Sequence, residues 1–444
     1  MHWQKLISAQ RHGREVGLNA EEYRSVFQRD FDRLIFSSPF RRMQNKTQVF
    51  PLPGSVFVHN RLTHSLEVSS VGRSLGTDVA RVLIQRHPEV PRELFEGLGS
   101  IVSAACLAHD MGNPPFGHAG EAAITAFFKE GKGCTLQSQL TPAQWNDLTH
   151  FDGNANALRL LTHQFEGRRP GGFVMTYAML ASIVKYPYSS TIAVGGKPKF
   201  GFFDSEREDF KRIAETTGLI CLEDNGKDRL AYCRHPLVYL VEAADDICYQ
   251  IMDIEDAHKL HILSDTEATD LLLGFFDPKQ QEHIEDTFRW VTDPNERIVY
   301  LRAGAINNLE HACVEAFLTH ELDLLRGSFK GALIDHITPT LRQAYTSCSD
   351  TAFARIYHSR QVADVEISGH HILNTLLETL IEAVQDPDKA YSRLVLRRVP
   401  TQYQVYASEL YDRIMAVLDH ISSMTDVYAL DLYRKLNGHS LAMV

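Results

Sequence analysis

Residues 101–108 are an apolar run, and the chain changes character as soon as it ends. A run of this kind belongs in a core, and it delivers two adjacent metal-type ligands, His109 and Asp110, at its end. Gly112, Pro114 and Pro115 then stop any helix, because proline lacks the amide donor and its ring clashes with the preceding turn. His118 and Glu121 follow at i, i+3 spacing, so one helix face can carry both. Four ionisable groups within thirteen residues, flanked by core-like sequence, mark a reaction centre rather than a surface loop.

The rest of the chain is organised for helices around that segment. Tyr23, Val26, Phe27, Phe31, Leu34 and Ile35 fall near an i, i+3/i+4 pattern, which predicts an amphipathic helix over 20–37. A helical stripe runs from Leu62 through Leu66, Val71, Leu75, Val79, Val82 and Leu83 to about Arg86. Residues 97–109, 120–130, 151–165, 173–185 and 204–217 read as helices. Residues 131–149 read as a loop with a short helix near Pro142, and 195–201 as a turn. A helix over 237–258 carries Val238, Val241, Ala244, Ile247, Ile251 and Ile254 on one side. Later segments (265–276, 280–289, 294–325, 328–345, 366–385, 402–422, 424–436) are almost all of helical period. Strand signals are few; the proline-glycine turn in 48–58 predicts a short β-ribbon. The expected class is all-α, with an N-terminal helix and ribbon arm (1–60), a helical core (61–265) and a long helical C-terminal region packed on it (266–444).

A chain of 444 residues with 44% hydrophobic and 23% charged residues can build a large core. Its net charge of −11 argues against general nucleic-acid binding, so an anionic ligand has to be met by local positive charge. Such a reversal lies between Arg24 and Lys46, where Arg24, Arg29, Arg33, Arg41, Arg42 and Lys46 face only Asp30 and Asp32. That cluster suits an anionic ligand, a subunit contact or a solvated helix face. The seven cysteines have no CxxC pairing, as in a reduced cytoplasmic protein. The N-terminus lacks the apolar region of a secretion signal, and no run is long enough to span a membrane.

Three separated pieces carry metal-type ligands: His64 near the start of one helix, His109-Asp110 at the end of another, and Asp245 within the 237–258 helix. Neutral imidazoles with carboxylates suit a divalent cation and leave positions for water and substrate. Arg61-Leu-Thr-His64-Ser-Leu-Glu67, Ala108-His109-Asp110 through His118-Ala-Gly-Glu121, and Glu242-Ala-Ala-Asp245-Asp-Ile-Cys-Tyr249 resemble the H…HD…D signature of HD-domain phosphohydrolases. More narrowly, the chain is similar to the bacterial dGTPases and dGTPase-like deoxynucleoside triphosphate triphosphohydrolases. The resemblance extends through Lys46-Thr-Gln48-Val, Phe151-Asp-Gly-Asn-Ala-Asn-Ala-Leu-Arg159, Lys185-Tyr-Pro-Tyr188 and Met424-Thr-Asp-Val-Tyr428-Ala, in order along nearly the whole chain.

That resemblance implies an HD-domain helical core and hydrolysis of dNTPs, dGTP or several of them, to deoxynucleoside and tripolyphosphate. It implies a divalent cation, Mg²⁺ or Mn²⁺ first among transition-metal alternatives, held by His64, His109, Asp110 and Asp245. His118 would protonate the leaving 5′ oxygen, with Glu121 holding the imidazole. Arg61, His150 and Lys185 would contact phosphates, and Arg61 has the bidentate fork that suits them. Tyr249 and Asp253 follow Asp245 at i+4 and i+8. Tyr249 would stack where a 2′-hydroxyl would sit, while Asp253 and Gln48 would read the 3′-hydroxyl. The family further implies a homo-oligomer, often a hexamer, and in some members an activating nucleotide or single-stranded DNA, to which the acidic composition lends no support. The competing expectations are an HD phosphodiesterase or nucleotidase on another phosphate ester, and a non-catalytic dNTP sensor. No motif tells guanine from the other bases.

Overall fold

In a computed structural model, residues 1–14, 25–50, 58–192 and 199–439 are described. Among them the chain is all-α, with one small antiparallel ribbon, Cys221–Asp224 against Leu230–Tyr232. The helix Leu98–Ala108 lies at the centre, and every one of its residues except Ser100 is buried. Helices Val26–Ile35, Arg61–Arg86, Tyr177–Ile183 and Pro236–Lys259 pack around it. This is the burial that its apolar run demands, at about 25 cal/mol per Å² of apolar surface removed from water. Helices Asp265–Leu273, Pro294–Thr319 and Pro339–Arg355 add an outer layer against Pro236–Lys259.

A second apolar core joins residues from the middle of the chain, including Ile124, Phe127, Phe128 and Phe151, to the C-terminal helices. Those helices are Arg360–Gln385, Ala390–Leu396, Leu410–Ser422 and Asp426–Leu436. Two buried polar knots lock this layer to the rest. Arg159 donates to both carboxylate oxygens of Asp419 (2.9 and 2.8 Å) and to Glu206 (2.6 Å). Asp147 accepts from the hydroxyls of Tyr411 and Ser190, both at 2.6 Å, and from the Asp204 amide at 2.7 Å. Burial nevertheless pushes the Asp147 carboxyl up to about 7.

The structure departs from the sequence expectation in places with local causes. Residues 328–345 do not form one helix: a 3₁₀ turn, Leu333–His336, precedes Pro339–Arg355, because the residue before a proline is steered out of the helical region. Residues 294–325 divide at His320 into Pro294–Thr319 and Glu321–Arg326. The ribbon at 221–232 turns on Asn225-Gly226, where Gly226 has φ +68° and Asn225 Oδ1 accepts three following backbone amides. Of the ribbon expected at 48–58, residues 51–57 lie outside the described residues. Its flanks are brought together by an antiparallel bridge between Thr47 and Asn60. The same holds for part of the 195–201 turn and for residues 20–24 of the first amphipathic segment. No helix among the described residues is long and apolar enough to cross a membrane.

Candidate active site

The helix Arg61–Arg86 begins with a reciprocal cap: Asn60 Oδ1 accepts the Thr63 amide at 3.0 Å, and Thr63 Oγ1 accepts the Asn60 amide at 3.1 Å. This fixes the first turn, from which Arg61 and His64 project three residues apart. His109 caps the C-terminal end of Leu98–Ala108 and donates from Nδ1 to the Cys106 carbonyl at 2.6 Å. That bond turns Nε2 toward the cluster, as the nitrogen that would bind a metal once its proton is displaced. Asp245 comes from the Pro236–Lys259 helix, with Oδ1 3.0 Å from His64 Nε2 and 3.5 Å from His109 Nε2.

Ligand atoms of His64, His109 and Asp110 all lie within 4.8 Å of one another. The electrostatics fit a cation among them. Burial opposes ionisation of Asp110, yet Arg61 and the two histidines hold its carboxyl at about 2. Asp245 is likewise held well below the ordinary carboxylate range against the same burial, chiefly by His109. Burial would discharge His109, but Asp110 and Asp245 raise it to about 9. Two ionised carboxylates thus create a demand for positive charge between them. Two imidazoles and two carboxylates are a donor set for a divalent transition metal or Mg²⁺.

A cleft of about 210 Å³ opens beside this cluster, and His109, Asp110, His118, Glu121, Lys185 and Asp245 line it. Arg61 reaches its floor by donating to Asp110 at 2.7 Å. The Arg61 guanidinium passes so close to Gly117 (φ +58°) that a β-carbon there would sit 2.3 Å from Nη2. Only glycine fits both the left-handed backbone and that approach. His118 is solvent-exposed at the first residue of the helix His118–Lys129. Glu121, one turn on, accepts the Gly153 amide at 2.7 Å and faces Lys199 at 3.8 Å. Burial raises the Glu121 carboxyl, with Lys199 and His118 opposing and Asp152 adding to the rise. Lys185 pairs with Glu242 at 3.0 Å, and Glu242 also receives Arg234 at 3.1 Å.

Toward the other end, Tyr249 presents its ring to His64, centroids 6.4 Å apart. Tyr249 also stacks on Tyr357 at 5.9 Å and 29°. The Tyr357 hydroxyl donates to Asp253 at 2.6 Å. Burial pushes the Asp253 carboxyl up to about 7, against the pull of that hydrogen bond. Gln48 has a buried Oε1 with no hydrogen-bond partner among the described residues, an acceptor available to a ligand donor. His150 does not line the cleft; its Nδ1 donates to the Asn146 carbonyl at 3.0 Å at the end of helix Pro142–Thr149. Sequence reasoning missed Lys199 and Tyr357. Lys199 lies within the 195–201 segment, expected only as a turn, and Tyr357 sits in the turn between two C-terminal helices, where the local pattern carries no chemical signal.

Residues 336–435 match the family described as phosphohydrolase-associated domain. The chain is 39% identical to a deoxyguanosinetriphosphate triphosphohydrolase-like protein of Synechocystis, over 99% of this chain and 100% of the relative. It is 37% identical to a protein of the same name from Pseudomonas aeruginosa, over 99% of both chains. It is 29% identical to the deoxyguanosinetriphosphate triphosphohydrolase of Yersinia enterocolitica, over 98% of both.

Proposed function

Because the chain belongs to the deoxyguanosinetriphosphate triphosphohydrolase-like family, we propose that it hydrolyses deoxynucleoside triphosphates to deoxynucleoside and tripolyphosphate. The observation that carries this reading is the cluster of His64, His109 and Asp110, with Asp245 3.0 Å from His64 and 3.5 Å from His109, beside a cleft lined by His109, Asp110, Asp245, His118 and Glu121. A divalent cation, Mg²⁺ or Mn²⁺, held by those four residues would polarise a phosphoryl oxygen and lower the pKa of bound water.

The chain's own residues supply the rest. Lys185 and Lys199 in the cleft lining, and Arg61 beside it, are the cations that would meet a triphosphate; each is held by a carboxylate, Glu242, Glu121 and Asp110 respectively. Water forms the new bond to the α-phosphorus, the bond from phosphorus to the 5′ oxygen breaks, and His118 delivers a proton to that oxygen. The exposed His118 can exchange its proton with solvent between turnovers, while the Glu121 carboxyl one turn away accepts the Gly153 amide and faces Lys199. Tyr249, stacked on Tyr357, closes the space next to the sugar, and Asp253 and Gln48 offer acceptors to the 3′-hydroxyl.

The test is to incubate purified protein with each dNTP and Mg²⁺ or Mn²⁺ and to identify products by ³¹P NMR. Tripolyphosphate and deoxynucleoside are expected. Diphosphate or orthophosphate as the first product would overturn the reading in favour of another phosphate-ester hydrolase, and absence of turnover would favour a dNTP sensor. His118→Ala is expected to keep metal and dNTP binding and to lower kcat by about 10²–10⁴-fold; unchanged turnover would remove its role.

A second nucleotide as activator is proposed at the N-terminal basic cluster, where Arg42 and Lys46 line a cleft with Arg168, Asp419, Ser422 and Ser423 that, at about 100 Å³, is too small to enclose a whole nucleotide. The buried Ser422 hydroxyl has no partner among the described residues. Arg41→Ala with Arg42→Ala is expected to weaken activation by added dNTPs; unchanged activation would exclude this cluster. Assembly into a homo-oligomer, up to a hexamer, is proposed with it, and light scattering at assay concentration checks it.

A further inference from the structure

The turn that hands the chain from the metal ligands to His118 is held from outside the catalytic core. Phe116 has φ +62°, and Gly117 follows at +58°. A bulky non-glycine residue in the left-handed region is strained and persists only where its surroundings over-determine it. What over-determines it is the C-terminal region. Asp426, at the first turn of the helix Asp426–Leu436 and 8% exposed, accepts the Phe116 amide on Oδ1 at 2.9 Å. Its Oδ2 accepts the Thr47 amide at 2.7 Å. One carboxylate therefore grips two backbone positions, one two residues before His118 and the other directly before Gln48.

Neighbouring contacts act on the same two segments. Lys46, 2% exposed, donates from Nζ to the Asn113 carbonyl at 2.6 Å and to the Ser422 carbonyl at 2.7 Å. The Phe116 ring packs on Gly369 of the helix Arg360–Gln385, where a β-carbon would lie 2.7 Å from Cγ. Apart from Lys46, the residues that fix the turn thus come from the stretch matched as the phosphohydrolase-associated domain, whose own side chains lie outside the metal cluster.

We propose that Asp426 is a positioning residue: it couples the phosphohydrolase-associated region to the active site by clamping the Phe116 and Thr47 amides, and so sets the placement of His118 and Gln48 together. Its carboxylate is needed because both partners are N–H donors. An isosteric amide keeps one acceptor oxygen and turns an N–H group toward the other donor, so the clamp opens on one side while the packing volume stays the same. The proposal rests on the reading of His118 as the proton donor, and its test separates the two.

The experiment is a double-mutant cycle of Asp426→Asn and His118→Ala, read as kcat and KM for a dNTP, with Mn²⁺ affinity and thermal midpoint measured on every variant. Asp426→Asn alone is expected to lower kcat by about 100-fold, the scale of an ångström-sized misplacement of a catalytic group, with Mn²⁺ affinity retained. In the His118→Ala background the same change is expected to have almost no further effect on kcat, because the group it positions is gone. Hydrogen exchange is expected to speed up in the peptides covering 43–50 and 111–120. Should the amide variant fail to fold, Asp426→Glu, which keeps the charge and both acceptors one methylene further out, carries the same cycle with a smaller loss. Full additivity of the two substitutions, or unchanged exchange in both peptides, would overturn the positioning role. Unchanged kcat in His118→Ala would instead sink the proton-donor reading and leave the exchange result to judge the clamp alone.

Discussion

The hydrogen bond from Tyr357 to Asp253 offers a quantitative handle on the proposed sugar-binding residues. Asp253 is 5% exposed, and burial pushes its carboxyl from 3.8 to about 7; the facing charges are Asp256 and Asp245, which raise it, and His59, which lowers it. The Tyr357 hydroxyl, itself pushed far up by burial and by Asp253, stays a donor at 2.6 Å and favours the ionised carboxylate. Tyr357→Phe removes that donor and keeps the stacking on Tyr249. A hydrogen bond to a charged group contributes about 1.5–3 kcal/mol, or roughly 10- to 150-fold. The Asp253 carboxyl then moves further above 7 and is protonated through the neutral range, where it no longer accepts well from a 3′-hydroxyl. The expected outcome is a 10- to 150-fold loss in kcat/KM for dNTPs near neutral pH, by the same scale. Far less is lost for 2′,3′-dideoxy analogues, so discrimination between the two shrinks. In the parent protein KM falls as pH rises through about 7 as Asp253 ionises; in the variant that limb moves to higher pH. The linkage to stability has the opposite slope. A carboxyl whose folded value is raised contributes stability that is present below about 4 and lost as pH climbs through about 7, up to about 4 kcal/mol for this group. Steady-state kinetics on dNTP and dideoxy pairs across that range decide the matter. An unchanged dNTP-to-dideoxy ratio with an unmoved KM limb would refute Asp253 as the 3′-hydroxyl acceptor.

Chelation is expected to abolish turnover and added Mn²⁺ or Mg²⁺ to restore it, while Asp245→Ala, by removing the carboxylate 3.0 Å from His64, lowers Mn²⁺ affinity by about 100-fold or more in calorimetric titration. Retained affinity would mean that Asp245 is no ligand. Asp419→Ala removes the carboxylate that takes both Nε and Nη2 of the buried Arg159, and is expected to cost about 3–5 kcal/mol of stability, read from urea unfolding with Mn²⁺ affinity unchanged in the folded protein. A loss under about 1 kcal/mol would show that Glu206 alone satisfies Arg159.

How much of this was legible in the sequence depended on the distance over which each signal acts. The proposed metal ligands were legible because each sits at a helix start, a helix end or on a strongly periodic helix, within motifs that together resemble one family. Tyr249 and Asp253 share a helix face with Asp245 at i+4 and i+8, but the family resemblance, not the spacing, singled them out. Their partner Tyr357 was not singled out: it lies 104 residues from Asp253, after a helix whose buried stripe is Ala344, Cys348 and Ala352. Small residues at i+4 spacing bury little apolar area and so mark a helix face only weakly. The pairing of Arg61 with Asp110 was hidden for a related reason, since both were read as ligands of something else and their 2.7 Å contact exists only once two helices meet. Asp426 is the sharpest case. Locally it is an acid in the first turn of a helix capped by Thr425, a role that the helix dipole explains completely. Its partners lie 310 and 379 residues away and are backbone amides, which carry no side-chain identity for a pattern to register. A site can therefore expose its ligands to sequence reading while concealing what aims them, because aiming is done by the backbone across the longest separations in the chain.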